Sequence, residues 1–331
     1  MKKSMTWSVV LLAFCLSSVA WSQSPVKSMP SGGSDLWHSP LMKLLRPAQS
    51  TNKASTSLVK PSFAALGAAK AGKVYKFVTA DFPGAAGTQA TGNAGGTVVG
   101  IFAYDPSLGQ TTSFTFHAQQ YKTYAVPGST ATVAFGIGSS GKIIGGYVNN
   151  AGETHGFVDN GGTFTDVDFP GAQSTIVTDI NASDQMAGIW NDTTTSHGFL
   201  NNGGVFTSID FPGSTSTQAA GINGDGKIVG IFSDSSGVQH GFIYNGGVFT
   251  QLDAPLSTST TAFGINDAGT IAGSFLDASS VSHGFTFSNG VFNQVDVPGA
   301  AQTELTHIPS KGLITGFYTD QLDELHGFTA H

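Results

Sequence analysis

The sequence predicts an all-β protein built from a repeated four-stranded sheet. Two observations carry this prediction, the composition and a repeat of about 43 residues. The 331 residues include 44 Gly and 24 Phe, whereas only 11% of the residues are charged. Helix surfaces are normally filled by Lys, Glu and Arg, so this composition disfavours helices. Four short strands in each repeat of this length are typical of a propeller blade.

Residues 1–22 have the pattern of a secretory signal peptide. They begin with two lysines, continue through a short apolar stretch and end on the small residues Ala20 and Ser22 around a single Trp. The apolar stretch is too short to span a membrane. We expect cleavage after Ser22 and a secreted, periplasmic or cell-surface protein that is not inserted in a membrane. Because Cys15 lies inside this segment, the mature chain is expected to contain neither cysteine nor disulfide.

Residues 23–72 read as a flexible linker, because they are rich in Ser, Pro, Ala and Lys and show no sustained periodicity. Charge divides the chain at this point. Residues 23–80 carry eight basic side chains and one acidic one, whereas residues 81–331 carry four lysines and twenty acidic side chains. A body this acidic repels nucleic acid and anionic membrane surfaces, so neither is an expected partner.

The repeat is marked by three sets of residues. An aromatic side chain lies six residues before a proline six times, and another lies two residues after a glycine six times, beginning with Phe77 and Phe102 respectively. A His-Gly-Phe triplet recurs five times at spacings of 42 or 43 residues, starting at His155, His197, His240, His283 and His326. Three aromatic residues per unit predict one continuous layered core.

One unit shows why each element is a strand. Residues 217–252 contain four short runs of apolar and β-branched residues. Turns rich in Asn, Asp and Gly, such as Asn223 to Gly226, separate these runs and tolerate the positive φ angles of tight hairpins. Small residues recur in the first strand, at Ala219 and Gly221 in this unit, as expected where blades converge on an axis.

The two ends of the repeat region complement each other. The sequence stops after the third strand of the last unit, while residues 73–81 form a lone fourth strand before the first complete unit. A closed ring would pair these ends and leave no long sheet edge exposed. We therefore predict that residues 73–331 form a six-bladed β-propeller with four-stranded blades, closed by the N-terminal strand completing the C-terminal blade. We expect a monomer.

These units resemble the HAF-type probable extracellular repeat family. Its units combine a His-small-Phe strand with a Gly-Ile-Asn turn and an Asp-x-Pro-Gly turn. The resemblance covers roughly residues 73–331, with Gly-Ile-Asn intact at Gly221 to Asn223 and at Gly264 to Asn266, and it departs from the family pattern at Thr112 to Phe114. It implies a secreted repeat protein and carries no defined reaction with it.

The five repeated histidines are too far apart around a ring to bind a single ion. We interpret them as structural residues, each hydrogen-bonded to a neighbouring turn because buried polar groups need partners. The candidate partners are the repeated aspartates of the Asp-x-Pro turns, at Asp168, Asp210, Asp253 and Asp296.

Departures from the repeat give the candidate functional site. Where the first strand usually has Gly, the third unit has Asp179 and the sixth has His307, and Glu304 lies three residues before that histidine. Units three and six are opposite in a six-fold ring. Asp179 and His307, flanked by Thr178 and Thr306, are therefore predicted to face one another across the axis as a binding site with acid-base potential. Two drifted repeats admitting hydrated side chains are the alternative reading.

No cofactor is expected, and the sequence gives only a weak calcium signal. The loop residues Asp192, Asp234, Asp277 and Asp320 offer the oxygens that Ca²⁺ prefers, but they lack the spacing of an EF-hand. Asn223 to Gly226 resembles a calcium fragment, but it lies at a hairpin turn, and we interpret it as that turn.

Two hypotheses remain for function. The first is a secreted, noncatalytic binding or scaffold module that contacts a protein or an envelope glycan through its loop faces. The second is a hydrolase or lyase with an axial site of Asp179, Glu304 and His307, assisted by a divalent cation. Since the only arginine is Arg46 in the linker, phosphate-directed and sialidase-like activities are disfavoured.

Overall fold

A computed structural model describes residues 75–104 and 112–331. The predicted signal peptide, 1–22, and the predicted linker, 23–72, lie outside the described residues. No helix occurs in the described ranges, and hence none long and apolar enough to cross a membrane. The all-β prediction is confirmed.

The structure contains a leading strand and six repeat units, numbered 1 to 6 along the chain. The leading strand is β1, Phe77–Thr79; unit 1 contains β2 Gly87–Ala94, β3 Thr97–Ala103, β4 Thr112–His117 and β5 Gln120–Tyr124, and unit 2 contains β6 Ala131–Ile137, β7 Ile143–Val148, β8 Thr154–Asn160 and β9 Thr163–Asp166. Unit 3 contains β10 Ser174–Ile180, β11 Met186–Asn191, β12 Ser196–Asn202 and β13 Val205–Ile209, and unit 4 contains β14 Ser216–Ile222, β15 Ile228–Ser233, β16 Gln239–Asn245 and β17 Val248–Leu252. Unit 5 contains β18 Ser259–Ile265, β19 Ile271–Leu276, β20 Ser282–Ser288 and β21 Val291–Gln294, and unit 6 contains β22 Gln302–His307, β23 Ile314–Thr319 and β24 Leu325–Ala330.

Each of the first five units is an antiparallel meander of four strands, as predicted. Unit 6 has three strands of its own, and β1 pairs antiparallel with β24, with Phe77 opposite Ala330. The first strands of successive units contact one another, and β22 contacts β2. The N-terminal strand therefore lies where the closing strand was predicted.

A β-bulge interrupts the first strand of every unit at the same place. In unit 4 the register with β15 shifts between Ala219 and Gly221, which leaves Ala220 without an opposing residue. The strands of adjacent units approach closely here: a Cβ added to Gly221 would lie 2.8 Å from the Phe263 carbonyl oxygen. A bulge re-aims the unpaired side chain, and here it turns the residue before the glycine towards the cavity described below.

The sheets are held together by aromatic side chains between the units. The Phe of each His-Gly-Phe triplet is fully buried, as is Phe114 in unit 1. In unit 4 the Phe242 ring covers Gly230 on the neighbouring strand, where an added Cβ would overlap both the ring and the Gln218 carbonyl oxygen. Phe211 stacks on Phe232 with ring centroids 3.6 Å apart. This layered packing is the core that the three aromatic sets predict.

Candidate functional site

Two adjoining cavities lie where the first strands converge. The inner cavity has a volume of about 120 Å³, and the residue unpaired by the bulge in each of the six units lines it, at Thr91, Phe135, Thr178, Ala220, Phe263 and Thr306. The second cavity, here called the mouth, has a volume of about 340 Å³ and is bounded by the turn after the first strand of each unit. Asp179 and His307 line both cavities and so form the collar between them.

Asp179 replaces a bulge glycine, and its carboxylate is held by the backbone. Oδ1 accepts the Ile180 N–H at 2.8 Å, and Oδ2 accepts the Ile222 N–H of the next unit at 2.8 Å. The residue is only 6% exposed. Burial raises the pKa of Asp179 to about 7, against the opposing effect of those two hydrogen bonds. At neutral pH this group is therefore divided between its charged and neutral forms.

His307 occupies the bulge position of unit 6, on the other side of the ring. Its Nδ1 is buried and has no hydrogen-bond partner in the described part of the protein. Burial lowers the pKa of His307 to about 4, so its imidazole is neutral at neutral pH. An unpaired buried nitrogen is the kind of group that a ligand or a water molecule completes.

The two threonines beside the collar link neighbouring units. Thr178 Oγ1 donates to the Ala219 carbonyl oxygen at 2.9 Å, and Thr306 Oγ1 donates to the Ala90 carbonyl oxygen at 2.7 Å. Thr91 makes the same bond to Ala134 at 2.9 Å. These hydroxyls join adjacent first strands, and they retain only acceptor capacity towards the inner cavity.

Glu304 does not join the collar. It is 3% exposed and faces unit 5, where its carboxyl oxygens accept hydrogen bonds from Ser274 at 3.4 Å and Ser282 at 3.2 Å. Glu304 is not among the described residues that line either cavity. Burial raises the pKa of Glu304 to about 8, against the opposing effect of the two serines. Of the three predicted acid-base residues, Asp179 and His307 therefore lie at the collar, whereas Glu304 lies against unit 5.

Gln239 is a lining residue that the sequence reasoning missed. It is 3% exposed, lines the inner cavity, and neither its Nε2 nor its Oε1 has a hydrogen-bond partner among the described residues. Equivalent positions of the described units hold Thr154, Ser196, Ser282 and Leu325. The repeat did indicate this residue, because Gln239 places a long amide side chain where the equivalent residues are short or apolar.

The five repeated histidines lie on the outer part of the units and are called the rim histidines. The Nδ1 of each lies 2.7 to 3.0 Å from an aspartate oxygen, in the pairs His155–Asp168, His197–Asp210, His240–Asp253, His283–Asp296 and His326–Asp81. Asp81 was not identified from the sequence, although its Asp-Phe-Pro context marks it as the fifth turn aspartate. The hydrogen bond from His326 to Asp81 joins unit 6 to the leading strand.

A second carboxylate faces the opposite nitrogen of each rim histidine. In unit 4 the Asp234 Oδ2 lies 3.5 Å from His240 Nε2, and the aromatic ring of Phe232 stacks on the imidazole. The hydrogen bond to Asp253 raises the pKa of His240, against the opposing effect of burial. The rim therefore combines an imidazole with two carboxylates at each site, and none of the five rim histidines lines the inner cavity or the mouth.

The four predicted calcium-binding aspartates hold hairpin turns. Oδ1 of each accepts backbone N–H groups two to four residues further on, as Asp234 does from Ser236 at 2.8 Å and Val238 at 2.9 Å. Within residues 75–104 and 112–331, one set of ligand atoms lies close enough to share an ion, those of Asp320, Glu324 and His326, all within 4.8 Å of one another. Of the four aspartates, Asp320 alone belongs to such a three-residue set in the described part of the chain.

The sequence matches no family model and no curated protein. Among solved structures, a TolB candidate of Agrobacterium tumefaciens is 9% identical with a TM-score of 0.52, and the match covers 74% of this chain and 90% of that one. TolB of Acinetobacter baumannii is 12% identical with a TM-score of 0.48, covering 67% and 60%. The β-propeller domain of the Trilobed protease of Pyrococcus furiosus is 10% identical with a TM-score of 0.44, covering 73% and 94%. At these identities the likeness concerns the fold alone, and the match to the Agrobacterium structure, with a TM-score of 0.52, carries it.

Proposed function

We propose that this protein is an exported, noncatalytic binding module of the HAF-type repeat family, with six blades closed by β1, and that its mouth contacts a protein or an envelope glycan. The observation that carries this proposal is the mouth itself. The turns of all six units converge on one cavity of about 340 Å³, within the size range of ligand pockets. Its floor holds the two residues that depart from the repeat at the bulge.

The six-bladed ring has independent support from contacts across its closure. β1 supplies the fourth strand of unit 6, and Asp81, just after β1, accepts a hydrogen bond from the Gly327 N–H at 3.0 Å as well as bonding His326. Contacts between β22 and β2 complete the circle of first strands. A closed ring gives the mouth a fixed shape, which favours binding because little is lost in ordering the site.

A noncatalytic role is favoured because the acid-base residues are separated or already engaged. Glu304 is hydrogen-bonded to Ser274 and Ser282 in the interface with unit 5. Both oxygens of Asp179 accept backbone N–H groups. A general acid or base must reach the proton that it transfers, and these two carboxyls are directed at the protein instead.

The test is retention of ligand by the purified protein and by two charge-reversal variants. Lys311 lines the mouth, whereas Lys122 is an exposed residue of β5 in unit 1. We expect Lys311→Glu to weaken retention of envelope polysaccharide or envelope protein by about tenfold, and Lys122→Glu to leave it within about twofold. Equal effects of both variants, or none, would remove the mouth as the contact surface.

A hydrolase or lyase with an axial site is the second candidate. It is supported by the opposite pKa shifts at the collar, which leave a protonated carboxyl at Asp179 and a neutral imidazole at His307 together between about pH 4 and about pH 7. Assays on envelope polysaccharides should then show turnover that is lost in Asp179→Asn. Absence of turnover with polysaccharides that the protein retains would leave the noncatalytic role alone.

A further inference from the structure

The inner cavity extends from the collar towards the far end of the sheets. Gln239 is opposite Ser233, and Ser233 is opposite Ser216, the first residue of β14. Gln239 therefore lies at the end of unit 4 that is opposite the mouth turn at Asn223. Because Asp179 and Gln239 both line this cavity, they mark its two ends.

The walls between these ends are mainly apolar. They are formed by aliphatic and aromatic side chains of five units, at Ile101, Val133, Phe135, Ile189, Ile231 and Phe263, with Phe317 from the sixth. The volume of about 120 Å³ is similar to that of cavities of about 150 Å³ that hold benzene. A single six-membered ring is therefore the size of group that fits.

Unpaired polar atoms point to a ligand in this cavity. The Gln239 amide has an unpaired donor and an unpaired acceptor, and His307 Nδ1 has no partner in the described structure. Leaving such groups buried and unpaired costs about 1 to 3 kcal/mol each. A ligand with adjacent hydrogen-bond donor and acceptor atoms could pair with both the Oε1 and the Nε2 of Gln239.

The charge of the site favours an uncharged occupant. Of the described residues that line the inner cavity, Asp179 and His307 alone have ionisable side chains. An anion would meet no cationic partner there, since His307 is neutral near pH 7. A cation would meet a carboxylate whose oxygens are already bonded to Ile180 and Ile222. Burying an unpaired charge is strongly unfavourable, whereas a neutral polar group needs only a hydrogen bond.

We propose that the inner cavity is a small-molecule site for an uncharged ring-sized group bearing an amide or hydroxyl, which packs on Phe135 and Phe263 and hydrogen-bonds the Gln239 amide. Benzamide is the simplest probe of this chemistry. The site goes beyond the proposed function, because it is closed to a macromolecule and does not depend on what contacts the mouth.

The experiment is calorimetric titration of the full protein with three ligands of equal ring size at pH 7, namely benzamide, benzoate and benzylamine. We expect benzamide to bind at least about tenfold more tightly than the anion or the cation, and to raise the melting temperature at roughly 10 mM. No binding of benzamide would mean that the cavity holds water only and would overturn the proposal. Equal binding of all three ligands would overturn it as well.

Two variants locate the binding. Ala220→Phe places at the unit 4 bulge the residue that units 2 and 5 already carry there, so the fold tolerates it, and it should fill the cavity and abolish benzamide binding. Gln239→Leu removes the amide and should weaken benzamide binding about fivefold or more. Gln251→Leu makes the same change on β17, away from the cavity, and should leave binding unchanged.

The outcomes separate this site from the mouth. If Ala220→Phe leaves benzamide affinity unchanged, the ligand binds elsewhere and the inner site is wrong, whatever Lys311→Glu does to retention of a macromolecule. If Ala220→Phe abolishes benzamide binding while Lys311→Glu leaves macromolecular retention intact, the inner site holds and the proposed mouth contact fails.

Discussion

Buried polar groups at the rim and at the axis of the same sheets differ in the partners that they have. At the rim, five histidines are each flanked by two carboxylates and packed against an aromatic ring, as His240 is by Asp253, Asp234 and Phe232. At the axis, His307 has no partner for Nδ1. Every rim imidazole has an aspartate oxygen at Nδ1, whereas the axial imidazole has no partner there in the described structure.

This difference separates structural residues from candidate functional ones. A side chain that recurs in five units has a structural role common to those units. Each rim histidine hydrogen-bonds the aspartate of a turn and so links the third strand to that turn. Asp179 and His307 each occur once, at a bulge where the other four units have glycine. Their pKa values are shifted to about 7 and about 4 by burial, and shifted values of this kind cluster at functional sites.

The largest expected effect is on the pH dependence of stability at Glu304. Its pKa is raised from 4.5 to about 8 in the folded protein, so the folded state retains a proton that the unfolded state loses as pH rises. Stability should therefore fall between about pH 4.5 and pH 8. We expect Glu304→Gln to remove the part of this fall that Glu304 causes, while the part due to Asp179 remains, and to stabilise the protein at pH 8 by on the order of 3 kcal/mol.

Denaturant unfolding at pH 5 and pH 8 measures this effect. Glu324→Gln is the matched control, because Glu324 is exposed and the same change there should leave the pH dependence intact. A Glu304→Gln protein that loses as much stability between pH 5 and pH 8 as the unaltered protein does would show that this carboxyl is not buried as described.

A smaller effect is expected at the rim. Thr112 stands in unit 1 where His240 stands in unit 4, so His240→Ser places a small hydroxyl side chain where the repeat already contains one. We expect it to destabilise the protein by about 1 kcal/mol, the typical value of one hydrogen bond. Because hydrogen bonding to Asp253 raises the pKa of His240, the contribution is fully present below about pH 6.5 and lost as pH rises through the folded pKa.

Unfolding measured at pH 6 and pH 9 tests the rim prediction. His240→Ser should lower stability at pH 6 and do so less at pH 9. A double-mutant cycle with Asp253→Asn should show coupling between the two residues at pH 6. If the loss is larger at pH 9 than at pH 6, the imidazole is bound in its neutral form and the rim does not act as an ion pair.

The smallest expected effect is that of metal removal. The turn aspartates already accept backbone N–H groups through Oδ1, so the hairpins do not need an ion to hold them. We expect EDTA to change the melting temperature by less than about 1 °C. A larger drop in the unaltered protein that is absent from Glu324→Gln would instead identify a bound ion at Asp320, Glu324 and His326.

The strands and their order could be predicted from the sequence, because six copies of the repeat show the same pattern of strands and turns. Each hairpin has its own Asn, Asp or Gly turn, and the lone strand before unit 1 complements the missing strand of unit 6. The orientation of Glu304 does not follow, because it depends on the packing of one unit on the next. Alternation along β22, with the bulge between Leu305 and His307, directs Glu304 towards Ser282 of unit 5 and His307 towards the axis.

Gln239 and Asp81 were missed for related reasons. Gln239 begins a third strand, and the repeat marks it as an exception to a short or apolar side chain without showing that this end of the strand lines the cavity. Asp81 belongs to the turn motif, but its histidine partner lies 245 residues away across the ring closure. Both depend on contacts between units, whereas periodicity describes each unit separately.

The most direct test compares benzamide binding by two double variants, one at the axis and one at the rim. Asp179→Gly with His307→Gly restores the repeat residue at both bulges and opens the collar of the inner cavity. His197→Ser with His240→Ser changes two rim sites. We predict that the axial variant loses benzamide affinity by about tenfold or more while the rim variant keeps it. Loss of affinity in the rim variant alone would contradict the assignment of binding to the axis.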